Sequence, residues 1–222
     1  HIGTDILIEV VERMREEIIR LGGEFLFHSQ VTDILPKENC LIVNGCHRIE
    51  TDAAVFAVGH SARDTFQMLF DRNVAMKSKS FAIGVRAEHR QDMIDEAMYG
   101  RKERGPLGAA AYKLTAQLEN GRGVYTFCMC PGGYVVNASS EQGRLAVNGM
   151  SYHDRAGENA NSAVIVTVTK DDYGSYHPLA GMEFQRRLEK KAWEEGGGNV
   201  PIQRFADFCT GTISVKTGNV TP

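Results

Sequence analysis

Between Asn148 and Ser162 the chain concentrates side chains able to orient and protonate a bound organic molecule: Asn148, Ser151, His153, Arg155, Asn159 and Asn161. Amides, a hydroxyl, an imidazole and a guanidinium gathered at a strand end and its loop are what a pocket uses to fix a substrate. His153 is of a type that delivers a proton near neutral pH, here to a carbon acid or an alkene, and Arg155 is its charged companion. The competing reading of the same residues is a polar surface loop. Arg86 interrupts the apolar strand that begins Phe81-Ala-Ile-Gly-Val85. An arginine there needs a partner, either a carboxylate such as Glu88 or an anionic ligand.

Two further groups have nucleophilic types. Cys128 and Cys130 lie two apart on a strand, which places both on one face with Val124 and Thr126 and puts Tyr125, Phe127 and Met129 on the other. Redox work would need an exposed, activated thiolate, whereas buried cysteines act as small hydrophobes, and the second role is the expected one. No further His or Cys pair has metal-site spacing, so no metal is expected. Ser61, in Val58-Gly-His-Ser-Ala-Arg63, imitates a hydrolase nucleophile elbow. The motif demands a second glycine where Arg63 stands, which leaves a serine hydrolase using Asp154 or Asp172 with His177 as a minor alternative.

These groups have to be held by elements. Leu7, Val10, Val11, Met14, Ile18 and Leu21 recur at helical spacing after Thr4, a capping type, and Gly22-Gly23 ends the helix. Extended runs follow at 24–28 and 30–35, then a hairpin of 40–44 and 47–49 turned at Asn44-Gly45. Thr51-Asp-Ala-Ala-Val-Phe-Ala-Val-Gly59 reads as a buried parallel strand running into a glycine, the place where nucleotides sit in open α/β sheets. An amphipathic helix is expected at 62–73. Beyond Lys77 come long strands at 80–88, 112–118, 124–130, 134–140, 145–152 and 163–169, whose glycine-rich turns predict an antiparallel meander. Helices are expected at 179–195 and 202–209.

The composition allows an ordinary globule: 222 residues, 42% hydrophobic, are enough for one large domain or two small ones. A net charge of −3 with both signs interspersed presents no basic face for nucleic acid and no polybasic membrane anchor. No apolar run approaches the roughly 20 residues of a spanning helix. Five cysteines without framework spacing fit a reducing, cytoplasmic compartment.

The order helix, strand, small antiparallel excursion, buried strand resembles the second half of a Rossmann-type FAD-binding domain in two-dinucleotide-fold flavoproteins. Four segments carry the likeness further: His1-Ile-Gly-Thr-Asp5, Gly59-His-Ser-Ala-Arg-Asp-Thr-Phe66, Tyr125-Thr-Phe-Cys-Met-Cys-Pro-Gly-Gly-Tyr134 and Asn148-Gly-Met-Ser-Tyr-His153. They are similar to those of bacterial FAD-dependent dehydrogenase-like proteins, members of the NAD(P)/FAD-dependent oxidoreductases, and the resemblance covers nearly the whole chain. It implies an α/β fold with α+β character, with residues 1–75 as part of the FAD-binding domain and 76–222 as a mainly antiparallel substrate or cap domain. FAD would meet the backbone at Val31, Ala57, Gly59 and His60, and hydride would pass between flavin and an unidentified small organic substrate touched by Arg86, Asn148, Ser151, Asn159 and Asn161. NAD(P)H as the second cofactor follows from the resemblance alone.

The family pattern opens with Gly-x-Gly-x-x-Gly after its first strand and closes with a second glycine-rich FAD segment; neither occurs here. With no methionine at its start and Val220-Thr-Pro222 at its end, the chain is expected to be an internal segment, inactive alone. Its partners would be the remaining parts of the FAD domain or, through the apolar surface they normally cover, a second copy. The alternative outside enzymology is a non-catalytic ligand- or protein-binding module.

Overall fold

The structure, a computed structural model, describes residues 2–215 and 217. His1 and Val220–Pro222, both named above, lie outside the described residues. Helix α1 (Thr4–Arg20) forms as its apolar spacing predicts, but Gly3 rather than Thr4 occupies the N-cap and no side chain caps the helix. None of its residues is buried, and Val11 and Met14 of the apolar stripe are more than half exposed.

Strands β1 (Val31–Leu35), β2 (Cys40–Val43) and β3 (His47–Glu50) form an antiparallel sheet in that order. Asn44 (φ 49) and Gly45 (φ 77) make the β2–β3 turn, whose two positive φ angles suit this residue pair. Asn44 also ties in the approach to β1, its Oδ1 accepting from Gln30 N at 2.9 Å and its Nδ2 donating to His28 O at 2.9 Å. Ile34, Cys40 and Val43 are the buried residues of this sheet, and α2 (Arg63–Asp71) packs against β1.

Residues 51–60 correct an expectation. They form no strand, and Val55 is 92% exposed. A parallel strand is stable only when neighbouring strands accept from its N–H groups and donate to its C=O groups. The small sheet stops at β3, and among the described residues no ladder runs beside 51–60. Residues 24–28 likewise form no strand.

The second part is built on β4 (Phe81–Arg90), α3 (Gln91–Tyr99), β5 (Thr115–Gln117), β6 (Gly123–Cys130), β7 (Gly133–Asn137), β8 (Val147–Ser151), β9 (Asn159–Val168), α4 (Lys170–Tyr173), α5 (Ala180–Glu195) and α6 (Phe205–Thr210). The sheet order is β4-β9-β6-β5, all antiparallel, and β7–β8 is a separate hairpin that contacts β9 and β6. The expected meander is therefore replaced: β9 enters between β4 and β6. Its ten residues pair along the whole of β4, from Phe81↔Val168 to Arg90↔Asn159, so the longest ladder is made between strands far apart in sequence. The fold is thus mixed α and β with antiparallel sheets. A cluster of Phe81, Tyr173 and Phe184, with ring centroids 6.0–6.4 Å apart, fixes α4 and α5 over the start of β4. Among the described residues no helix is long and apolar enough to cross a membrane.

One ionic cluster joins the parts. Arg63, at the start of α2 and 2% exposed, donates to Glu189 Oε1 on α5 at 2.6 Å and also pairs with Glu141. Arg186 reaches the same Glu141 at 2.6 Å. The Arg186 guanidinium, assisted by Arg63, holds the Glu141 carboxyl at about 2.

Candidate functional site

The side chain of Arg86 gathers four strands. From β4 its Nε donates to Asn161 Oδ1 of β9 at 2.7 Å, Nη1 to Asn148 Oδ1 of β8 at 3.4 Å, and Nη2 to the Cys128 carbonyl of β6 at 2.5 Å and to Cys130 Sγ at 3.7 Å. All four acceptors are neutral, and among the described residues no carboxylate comes within ion-pair distance of the guanidinium. Glu88, the carboxylate considered above, accepts instead from Asn159 Nδ2 at 2.8 Å. Asn161 is fully buried and its Nδ2 has no partner. Gly149 is required beside them for space: a β-carbon there would overlap Asn161 Oδ1 and the Arg86 guanidinium.

The reason for this convergence is a β-bulge. Phe127 pairs with Ala163 and Cys130 with Asn161, so Cys128 and Met129 both stand opposite Ser162. Cys128 takes φ 45, a backbone region usually left to glycine. Strand alternation is broken there: Cys128 is exposed and Cys130 buried, which corrects the expectation that both are buried on one face. The bulge turns the Cys128 carbonyl onto Arg86, the cationic neighbour that periodicity alone could not supply.

A residue missed in the sequence stands close by. Tyr112 OH lies 2.7 Å from His89 Nε2, and burial pushes its phenol up, against the opposing effects of the Ser162 hydroxyl and the Arg86 charge. It therefore stays protonated further into the alkaline range. No local motif marks Tyr112; only the pairing of β4, β6 and β9 brings its segment to this place.

Of the residues expected to touch substrate, Arg86, Asn148 and Asn161 are thus brought together. Ser151 is buried at the end of β8, its hydroxyl donating to Pro131 O at 2.8 Å, and Asn159 is tied to Glu88. His153 and Arg155 lie elsewhere. The His153 backbone donates to Asp5 Oδ1 and its Nδ1 lies against Ile2 O, each at 2.9 Å. Arg155, at φ 51, accepts through its carbonyl from Arg104.

Val31 opens β1, while Ala57, Gly59 and His60 lie in the exposed segment that forms no strand. Gly59 has φ 69 and open space where a β-carbon would stand, so a ligand can approach its backbone. The glycine turn that would cradle a pyrophosphate has no counterpart in this sequence.

The hydrolase groups do not meet. Ser61 Oγ faces His60 Nε2 at 3.4 Å, His177 Nδ1 accepts from Leu179 N, Asp154 accepts from Ala156 N, and Asp172 pairs with Arg122.

Two comparisons bear on these groups. A family described as "FAD-dependent protein, C-terminal domain-like" matches residues 80–222. A protein of Clostridium beijerinckii, named only "Uncharacterized protein", is 52% identical over 229 residues, an alignment that takes in all of this chain and 43% of the relative. The chain therefore spans less than half the length of that relative.

Proposed function

Because the chain belongs to the family of FAD-dependent proteins, C-terminal domain-like, we propose that it is the substrate-side part of a flavoprotein oxidoreductase. On this reading residues 76–222 shape the substrate pocket and residues 1–75 contribute one edge of the FAD site. FAD, when bound, supplies the centre that gives or accepts hydride. Val31, Ala57, Gly59 and His60 would hold its edge, and the rest of the cofactor's cradle would come from a longer polypeptide such as the Clostridium relative. NAD(P)H as the reductant rests on resemblance alone.

The observation that carries the reading is the Arg86 guanidinium, partly exposed and surrounded by neutral acceptors. A cation held ready by amides and carbonyls is suited to an anionic group of a small organic substrate, such as a carboxylate. Asn148 and Asn161 fix its plane. Tyr112, kept protonated by burial and oriented by His89, is the group placed to deliver a proton to the reduced substrate.

Titration of FAD into this chain, and into a form extended to the length of the Clostridium relative, tests the reading through flavin fluorescence and the visible spectrum. Binding by the extended form is the expected result; absence of binding to both would overturn it in favour of a ligand-binding module. In the extended form Tyr112→Phe is expected to lower turnover about a hundredfold. FAD affinity should stay unchanged, and equal turnover would remove Tyr112 from the proton path.

A further inference from the structure

We propose that Cys128 and Cys130 form a thiol–disulfide exchange pair that acts on small organic disulfides, with Cys128 attacking and Cys130 resolving. The proposal rests on geometry within this chain and not on the flavin reading. Cys128 is exposed and Cys130 buried, the division of labour that exchange needs: one sulfur open to substrate, the other shielded until a mixed disulfide forms beside it. The Cys130 thiol donates to the Cys128 carbonyl at 3.3 Å, so the second sulfur already leans back toward the residue it would join. In a regular strand, residues two apart stand parallel on one face at about 6.6 Å, near the upper limit for a bridge; the bulge, with Cys128 at φ 45, removes that regularity.

The surroundings suit the chemistry. The Arg86 cation lies 3.7 Å from Cys130 Sγ, and Asn161, whose Nδ2 has no partner, pairs with Cys130 across the ladder. The cation thus stands beside the sulfur that attacks in the resolving step. In the first step the Cys128 thiol loses its proton to solvent and attacks one sulfur of the substrate. A Cys128–substrate disulfide forms, and one substrate thiolate leaves to be protonated by water. Cys130 then loses its proton and attacks Cys128 Sγ. The intramolecular disulfide forms and the second substrate thiolate departs and is protonated. Two protein thiols are oxidised and one disulfide is reduced to two thiols.

The test uses glutathione disulfide as probe on the intact chain without flavin, followed by acid quench, alkylation and tryptic mapping. Both cysteines fall in one peptide, Gly123–Arg144, which contains no other cysteine. The expected result is that this peptide loses both alkylation sites together, at a rate about tenfold above that of mixed-disulfide formation at the exposed Cys46 and Cys209. Cys130→Ser should trap glutathione on Cys128. Arg86→Gln should slow resolution by Cys130 about tenfold while leaving mixed-disulfide formation at Cys46 unchanged, a pattern that general unfolding would not produce. Reaction of Cys128 no faster than Cys46 and Cys209 would overturn the proposal, as would a mixed disulfide in the wild-type chain that Cys130 never resolves.

Discussion

Arg63→Met is expected to lower the unfolding free energy by about 3 kcal/mol, read as a shift of the urea midpoint at neutral pH. The loss comes from the two carboxylates left behind, since the guanidinium, 2% exposed, pairs with both Glu141 and Glu189. These partners keep 25% and 16% exposure, and water can reach them, which places the effect at the low end for a broken buried pair. Acid should expose the same cluster. The folded-state value of Glu141 is depressed from 4.5 to about 2, chiefly by Arg186 and then by Arg63. Its contribution, on the order of 3 kcal/mol, is therefore complete above 4.5 and is lost as pH falls toward 2. Arg63→Met should retain a reduced acid limb, because Arg186 still holds the carboxylate. A midpoint shift equivalent to less than about 1 kcal/mol would show that the cluster behaves as a solvated surface pair.

Gln91→Ala should be of similar severity, with a thermal midpoint lower by about 6–12 °C. Gln91 is 1% exposed and its side chain makes three hydrogen bonds: Nε2 to Asp95 Oδ1 at 2.8 Å and to Ala110 O at 3.0 Å, and Oε1 from Gly132 N at 2.8 Å. Asp95 Oδ1 accepts in addition from Ala110 N, while its Oδ2 faces Arg104 Nε at 2.8 Å as an ion pair without hydrogen-bond alignment. Removing the amide strands the Gly132 donor and the Ala110 acceptor in a dry interior and opens a cavity, together costing about 3 kcal/mol. The consequence reaches the site, because Gly132 follows Cys130 in the turn that leaves the bulge. Amide exchange at Gly132 should rise ahead of that in the β4–β9 ladder. A protected Gly132 amide in the variant would mean that this turn is held by other contacts.

Much of the local structure was legible in the residues. Asn44-Gly45 announced its turn, the apolar spacing of 4–20 and 180–195 announced helices, and β6 and the β7–β8 hairpin lie close to where alternation put them. Each depends on interactions within a few residues, which propensity and periodicity record. The apolar run 51–59 misled for the opposite reason: its pattern fits a buried strand, but a strand exists only with neighbours to complete its hydrogen bonds. The position of β9 between β4 and β6 was likewise beyond local signals, as it depends on the best long-range match for a ten-residue strand.

The candidate site divides the same way. Residue types marked Arg86, Asn148 and Asn161 as candidate site residues and Arg86 as a side chain in need of a partner. Only the tertiary structure decided that its partners are amides, a carbonyl and a thiol rather than Glu88, and that Tyr112 stands beside it. It also separated Cys128 from Cys130 by inserting one extra residue opposite Ser162. The sequence by itself determined which side chains are available and which short segments bend or coil. Which of them share a site was decided by strand pairing across some 80 residues, because the free energy of those contacts exists only once the sheet has closed.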